Sequence, residues 1–69
     1  MTLRLRVKEV AKEKGFSMVK LFRTADVAYY TIQQIYRDPY RHVSYVVLYK
    51  LAKALDVPIT DLFEEVPDN

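Results

Sequence analysis

The chain has 69 residues, with 11 Lys and Arg against 9 Asp and Glu, a net charge of +2, and no cysteine. The lack of cysteine excludes disulfides and thiolate metal sites, and a single histidine argues against any other metal site or cofactor. No apolar run approaches the roughly 18 residues that span a bilayer, and no signal-peptide pattern opens the sequence. We therefore expect one small domain, residues 1–69, of a cytoplasmic protein that does not bind membranes.

Apolar residues recur with a period near 3.6 throughout, which predicts helices and no strand. Ser17 and Ser44 are expected N-caps, Gly15 lies just past the first helix, and Thr60 is expected to cap a short last helix. The predicted helices cover about residues 5–14, 18–24, 28–37, 45–55 and 61–65. The predicted fold class is therefore all-α, with five helices.

The predicted helices 18–24 and 28–37 are separated by Ala25-Asp26-Val27, and two further capped helices follow them. This pattern resembles the helix-turn-helix domain of phage repressors and Cro, from about Val7 to Phe63. The residues that carry it are Gly15-Phe16-Ser17, Leu21, Val27, Thr31-Ile32, Ile35, Ser44, Leu48, Leu51 to Val57 and Ile59 to Phe63. The resemblance implies a compact five-helix lambda-repressor-like domain with a central helix-turn-helix.

In that family the third helix enters the major groove of double-stranded DNA, and its early residues touch base edges. Gln34 is the strongest candidate for base reading, because a Gln amide can bond adenine through two hydrogen bonds. The base-facing positions implied by the resemblance are Tyr29, Tyr30, Gln33 and Gln34. Phosphate contacts are implied at Met18, Lys20, Arg37, Arg41 and the backbone near Ser44. This assignment describes a sequence-specific transcriptional regulator.

A second pattern favours protein binding. At about 100° per residue, Val19, Tyr30 and Val46 point nearly opposite the buried faces of their helices. No cation lies between Ala28 and Tyr36, and contiguous apolar, tyrosine-rich surfaces are typical of protein interfaces.

From sequence alone we therefore favour a non-catalytic protein-binding module on a repressor-like scaffold, with its DNA face remodelled by engineering. The DNA-binding regulator is the alternative, and a homodimer formed through the same surface is a third possibility. The residues expected at the protein interface are Met18, Val19, Phe22, Tyr29, Tyr30, Gln33, Val46 and Tyr49. Met18 and Tyr45 are also expected to thicken the core.

No residue pattern supports an enzyme or a small-molecule substrate. No Ser or Thr has a plausible base, since the only histidine, His42, lies in a loop without an evident orienting carboxylate. His42 is expected to be an ordinary exposed residue, with a pH-sensitive contact as the sharper alternative. Glu64 and Glu65 are adjacent on one short predicted helix and point in different directions, so we expect solvated charges.

Overall fold

A computed structural model describes residues 2–68. Its regular elements are β1 (Thr2–Leu5), α1 (Val7–Glu13), α2 (Met18–Ala25), α3 (Tyr29–Arg37), α4 (Tyr45–Leu55), a 3-10 helix (Ile59–Leu62) and β2 (Phe63–Val66). The three central helices lie within two residues of their predicted bounds. No helix among the described residues is long and apolar enough to cross a membrane.

The helix ends follow from local chemistry. The Ser17 hydroxyl accepts a hydrogen bond from the Lys20 backbone N–H at 3.1 Å, and the Ser44 hydroxyl accepts one from the Val47 N–H at 3.2 Å. Both predicted N-caps are therefore confirmed. After α1 the chain turns at Gly15, whose φ of 75° suits a residue without a Cβ.

The expectation of a fifth helix and an all-α fold is wrong. Residues 63–66 form a strand that pairs antiparallel with β1, in a register that joins Thr2 to Val66 and Leu5 to Phe63. The preceding segment is a 3-10 helix whose N-cap is Pro58, with no side-chain cap, so Thr60 does not have its predicted role. Strands of four residues give too weak a sequence pattern to be recognised, and each of these strands forms only by pairing with the other at the far end of the sequence.

The first helix consequently begins at Val7 rather than near Leu5. The segment Leu3-Arg4-Leu5-Arg6 alternates apolar and basic residues, which is the period of two expected for a strand. It covers only four residues, too few to predict a strand by itself. The strand is joined to the rest of the fold by two backbone hydrogen bonds, from Leu5 N–H to the Pro39 carbonyl at 2.6 Å and from Arg6 N–H to the Leu62 carbonyl at 2.7 Å.

The core lies where α1, α2, α3, α4 and the 3-10 helix converge. It contains only apolar side chains, and no polar or charged described residue is buried. The largest fully buried side chains are Leu21, Ile32, Ile35, Leu51, Leu55, Leu62 and Val7. Because both α2 and α3 contribute to this core, their relative placement is fixed by packing, and α3 is held with its opposite face outward.

Candidate nucleic-acid interface

The turn between α2 and α3 is a tight three-residue connection. Asp26 closes α2 in the left-handed conformation, with φ 56° and ψ 43°, and buried Val27 anchors the turn to the core. Ala28 then begins α3 without a side-chain cap. The turn thus joins α2 to α3 as in a helix-turn-helix, with Asp26 and not a glycine in the left-handed conformation.

The outward face of α3 carries the residues that sequence predicted for base contacts. Ile32 and Ile35 point into the core, whereas Tyr30 is 68% exposed. Gln33 and Gln34 are half-buried, and both keep part of their surface in solvent. The structure therefore brings Tyr30, Gln33 and Gln34 onto one accessible surface.

Tyr29 belongs to the edge of this surface. Its ring meets the ring of Phe22 edge-on, with centroids 5.3 Å apart and an interplanar angle of 72°. Phe22 and Met18 are half-buried and pack against the core, so the expectation that Met18 thickens the core is confirmed. This aromatic contact fixes the first turn of α3 against α2.

The cations around α3 have distinct surroundings. Lys20 lies over the ring of Phe16, with Nζ 4.6 Å from the centroid, and Arg37 is exposed at the last turn of α3. Arg41, in the loop before α4, donates from Nη1 to Gln34 Oε1 at 3.2 Å. The sequence did not predict this last contact, because the two residues lie on different elements and their approach depends on the path of the loop.

Charge is distributed unevenly along the fold. Between residues 17 and 55, six Lys and Arg stand against two Asp, a net +4, while the rest of the chain has five against seven, a net −2. The basic residues are scattered along the sequence, but the acidic ones are not. It is the scarcity of acids around the helix-turn-helix that makes this half positive, a signal that counting basic residues alone overlooks.

The salt bridges of the described residues lie outside the segment 17–55. Among the described residues, the salt bridges join Arg4 and Arg6 to Glu9, Glu13 and Glu64, near the sheet and α1, at 2.6 to 3.9 Å. No Lys or Arg between residues 17 and 55 forms a salt bridge with another described residue. Apart from Arg41, which bonds Gln34, those cations are available to an external anion such as a DNA phosphate.

The helix ends at this face also suit anions. The first turns of α2, α3 and α4 contain no acidic residue. At a helix N-terminus the free backbone N–H groups and the helix dipole favour negative charge. Ser17 and Ser44 satisfy one N–H each, whereas Ala28 satisfies none with its side chain, so the α3 terminus retains its donors.

Large apolar side chains are also exposed on α2 and α4. Val19 and Val46 are 44% and 45% exposed, and Tyr49 is also exposed, so the predicted outward direction of Val19, Tyr30 and Val46 is confirmed. The expectation that Tyr45 thickens the core is wrong, because that side chain is 79% exposed. Tyr45 is the first residue of α4, directly after the Ser44 cap.

The described titratable residues Tyr36 and His42 have different surroundings. Burial, with a smaller contribution from the Glu9 carboxylate, raises the pKa of Tyr36, which makes a phenol that is already protonated at neutral pH still harder to ionise. His42 is exposed, as predicted, on the wall of an open groove of about 490 Å³ beside Leu3, Tyr40 and Phe63. Among residues 2–68 no three His, Cys, Asp or Glu side chains gather to hold a metal.

A family model of the Cro/C1-type HTH DNA-binding domain matches residues 6–68. The chain belongs to this family. No curated protein matches it in sequence. The match agrees with the resemblance to phage repressors and Cro and with the observed turn between α2 and α3. This family comprises DNA-binding domains rather than enzymes, and the match supports DNA binding over a remodelled protein-binding surface.

Proposed function

We propose that the protein is a sequence-specific DNA-binding transcriptional regulator that inserts α3 into the major groove. The observation that carries the proposal is the set of unpaired cations around an α3 whose outer face is polar and aromatic. Base contacts come from Tyr29, Tyr30, Gln33 and Gln34. The family match supports DNA binding in general, and the proposal adds which residues contact the bases.

In this arrangement Lys20 and Arg37 contact phosphates on either side of α3, and the first backbone N–H groups of α4 contact another. Tyr30 offers a hydroxyl for a phosphate or an aromatic edge for a thymine methyl. The α3 helix brings no cation of its own before Arg37, so most of the electrostatic attraction comes from α2 and from the chain after α3.

The first test is binding to a random-sequence duplex, measured by fluorescence anisotropy at low salt and then across a salt titration. We expect binding that weakens steeply as salt rises, because each neutralised phosphate releases counterions. A selection from randomised duplexes then identifies the preferred sequence. Failure to bind any duplex at low salt would refute the proposal.

Arg37→Ala tests the assignment of phosphate contacts. We expect it to weaken binding to all duplexes alike and to lower the slope of log affinity against log salt by about 1. Arg6→Gln is the matched control, because it removes the same charge from the ion-paired side near Glu64. Equal slopes for Arg37→Ala and Arg6→Gln would exclude Arg37 from the contacts.

The exposed apolar residues support a second candidate function, binding of a protein or of a second copy through Val19, Tyr30, Val46 and Tyr49. A large exposed aromatic surface is a common mark of such interfaces. Tyr30→Ala should weaken partner binding or self-association by about 1–2 kcal/mol, as truncation of an aromatic anchor does.

Sedimentation across a concentration series measures self-association, with Tyr40→Ala, in the loop after α3, as the control. A monomer at all concentrations for the wild type contradicts self-association.

A further inference from the structure

Arg41 has an unusual environment for a residue expected to bind phosphate. Its side chain is half-buried rather than free, and Nη1 donates to Gln34 Oε1 at 3.2 Å. Its Nε is fully covered and has no hydrogen-bond partner among the described residues. None of the described acidic side chains forms a salt bridge with it. The guanidinium is therefore held against Gln34.

Stability alone does not account for this arrangement. A buried N–H without a partner is unfavourable, and the single hydrogen bond to Gln34 offsets this only in part. An apolar side chain of similar length would cover the same surface without burying a donor. The specific consequence of Arg41 lies instead in what it does to the Gln34 amide.

That amide can face Arg41 in only one way. A guanidinium has donors and no acceptor, so the atom beside it must be the Gln34 oxygen. With Oε1 held, rotation of the amide by half a turn is suppressed, and Nε2 is kept on the other side. The oxygen retains its second lone pair. The fixed amide therefore presents one donor and one acceptor in a set order.

We propose that Arg41 is a positioning residue that orients the Gln34 amide for reading one base pair and does not itself contact a phosphate. This inference rests on the proposed DNA-binding function. The fixed order of donor and acceptor matches adenine, whose N7 accepts from Nε2 and whose N6 donates to Oε1. A freely rotating amide adapts to other base edges, so loss of Arg41 relaxes the preference at that position.

The experiment uses the best duplex selected from a randomised library and the same duplex with each single base pair replaced. Gln34→Ala identifies the base pair that Gln34 reads. Arg41→Met keeps the apolar stem and removes the donor. We expect Arg41→Met to reduce discrimination at that same base pair by at least about fivefold, within the range that one bidentate contact supplies. In the Gln34→Ala background it should reduce discrimination no further.

The salt dependence separates positioning from phosphate binding. Arg41→Met should leave the slope close to the wild-type value apart from long-range charge, whereas Arg37→Ala lowers it by about 1. A uniform loss for all duplexes with a slope lowered by about 1 would overturn the inference and make Arg41 a phosphate contact. If the wild type binds no duplex, the proposed function itself fails and this inference with it.

A measurement without DNA checks the cause. Side-chain amide relaxation of Gln34 by NMR should show an ordered NH₂ group in the wild type and a mobile one in Arg41→Met. Arg41→Lys keeps the charge but lacks the planar fork, and we expect an intermediate result. Equal mobility in all three proteins would overturn the inference even where DNA binding is intact.

Discussion

Two aspartates hold backbone conformations that usually favour glycine. Asp26 after α2 and Asp56 after α4 have φ of 56° and 57°. Asp tolerates the left-handed region better than most residues, because its short polar side chain can bond locally. Glycine adopts this conformation most readily, and in the turn before α3 Asp26 keeps the same geometry with a different residue. A departure in sequence is therefore not a departure in shape.

Asp26→Gly should stabilise the protein slightly, by about 0.5 kcal/mol. Glycine removes the strain at positive φ, which for an aspartate lies at the low end of the roughly 1–2 kcal/mol typical of L-residues, and the greater freedom of the unfolded chain offsets about half of that gain. Urea denaturation measures the difference. Lys50→Gly, at an exposed position inside α4, is the control and should destabilise by roughly 1 kcal/mol. A lower stability for Asp26→Gly would mean that the aspartate side chain contributes more than its backbone costs.

At the level of elements, prediction from sequence succeeded where local chemistry decides the structure. Capping serines, the glycine after α1 and the 3.6-residue period are properties of short segments, and the central helices were predicted from them. The sheet could not be predicted in this way, since Leu5 and Phe63 become strand residues only by pairing with each other. The Arg41–Gln34 contact and the exposure of Tyr45 likewise depend on packing that no local pattern encodes.

Ser44→Ala tests the local contribution to α4. The loss of the bond to the Val47 N–H should destabilise the protein by about 1 kcal/mol, which lowers the melting temperature by roughly 4–8 °C in a domain of this size. Thr60→Ala is the matched control, because Thr60 was expected to be a cap and forms no cap bond in the structure. Equal melting temperatures for the two variants would contradict the assignment of Ser44 as the cap of α4.

Across the whole molecule, the charge pattern and the core divide the chain into two kinds of surface. The cations between residues 17 and 55 form no salt bridge with a described residue, whereas near the sheet and α1 the ion pairs involve Arg4 and Arg6 and leave Lys8, Lys12 and Lys14 without one among the described residues. A net charge of +2 therefore understates the field at α3. A DNA-binding domain with this charge distribution should approach a polyanion in a preferred orientation, and its encounter rate should fall as salt rises.

The sheet also bears on the order in which the molecule assembles. Thr2 pairs with Val66, so closing this contact requires almost the entire polypeptide to form a loop, whereas α2 and α3 meet across three residues. Loop-closure entropy delays distant contacts until the intervening chain is already compact. Strand pairing is thus expected to be the last step of folding and the first to open. Backbone amides of β1 and β2 should exchange with deuterium faster than those of Leu51 and Leu55, because the sheet can open while α3 stays folded against the core.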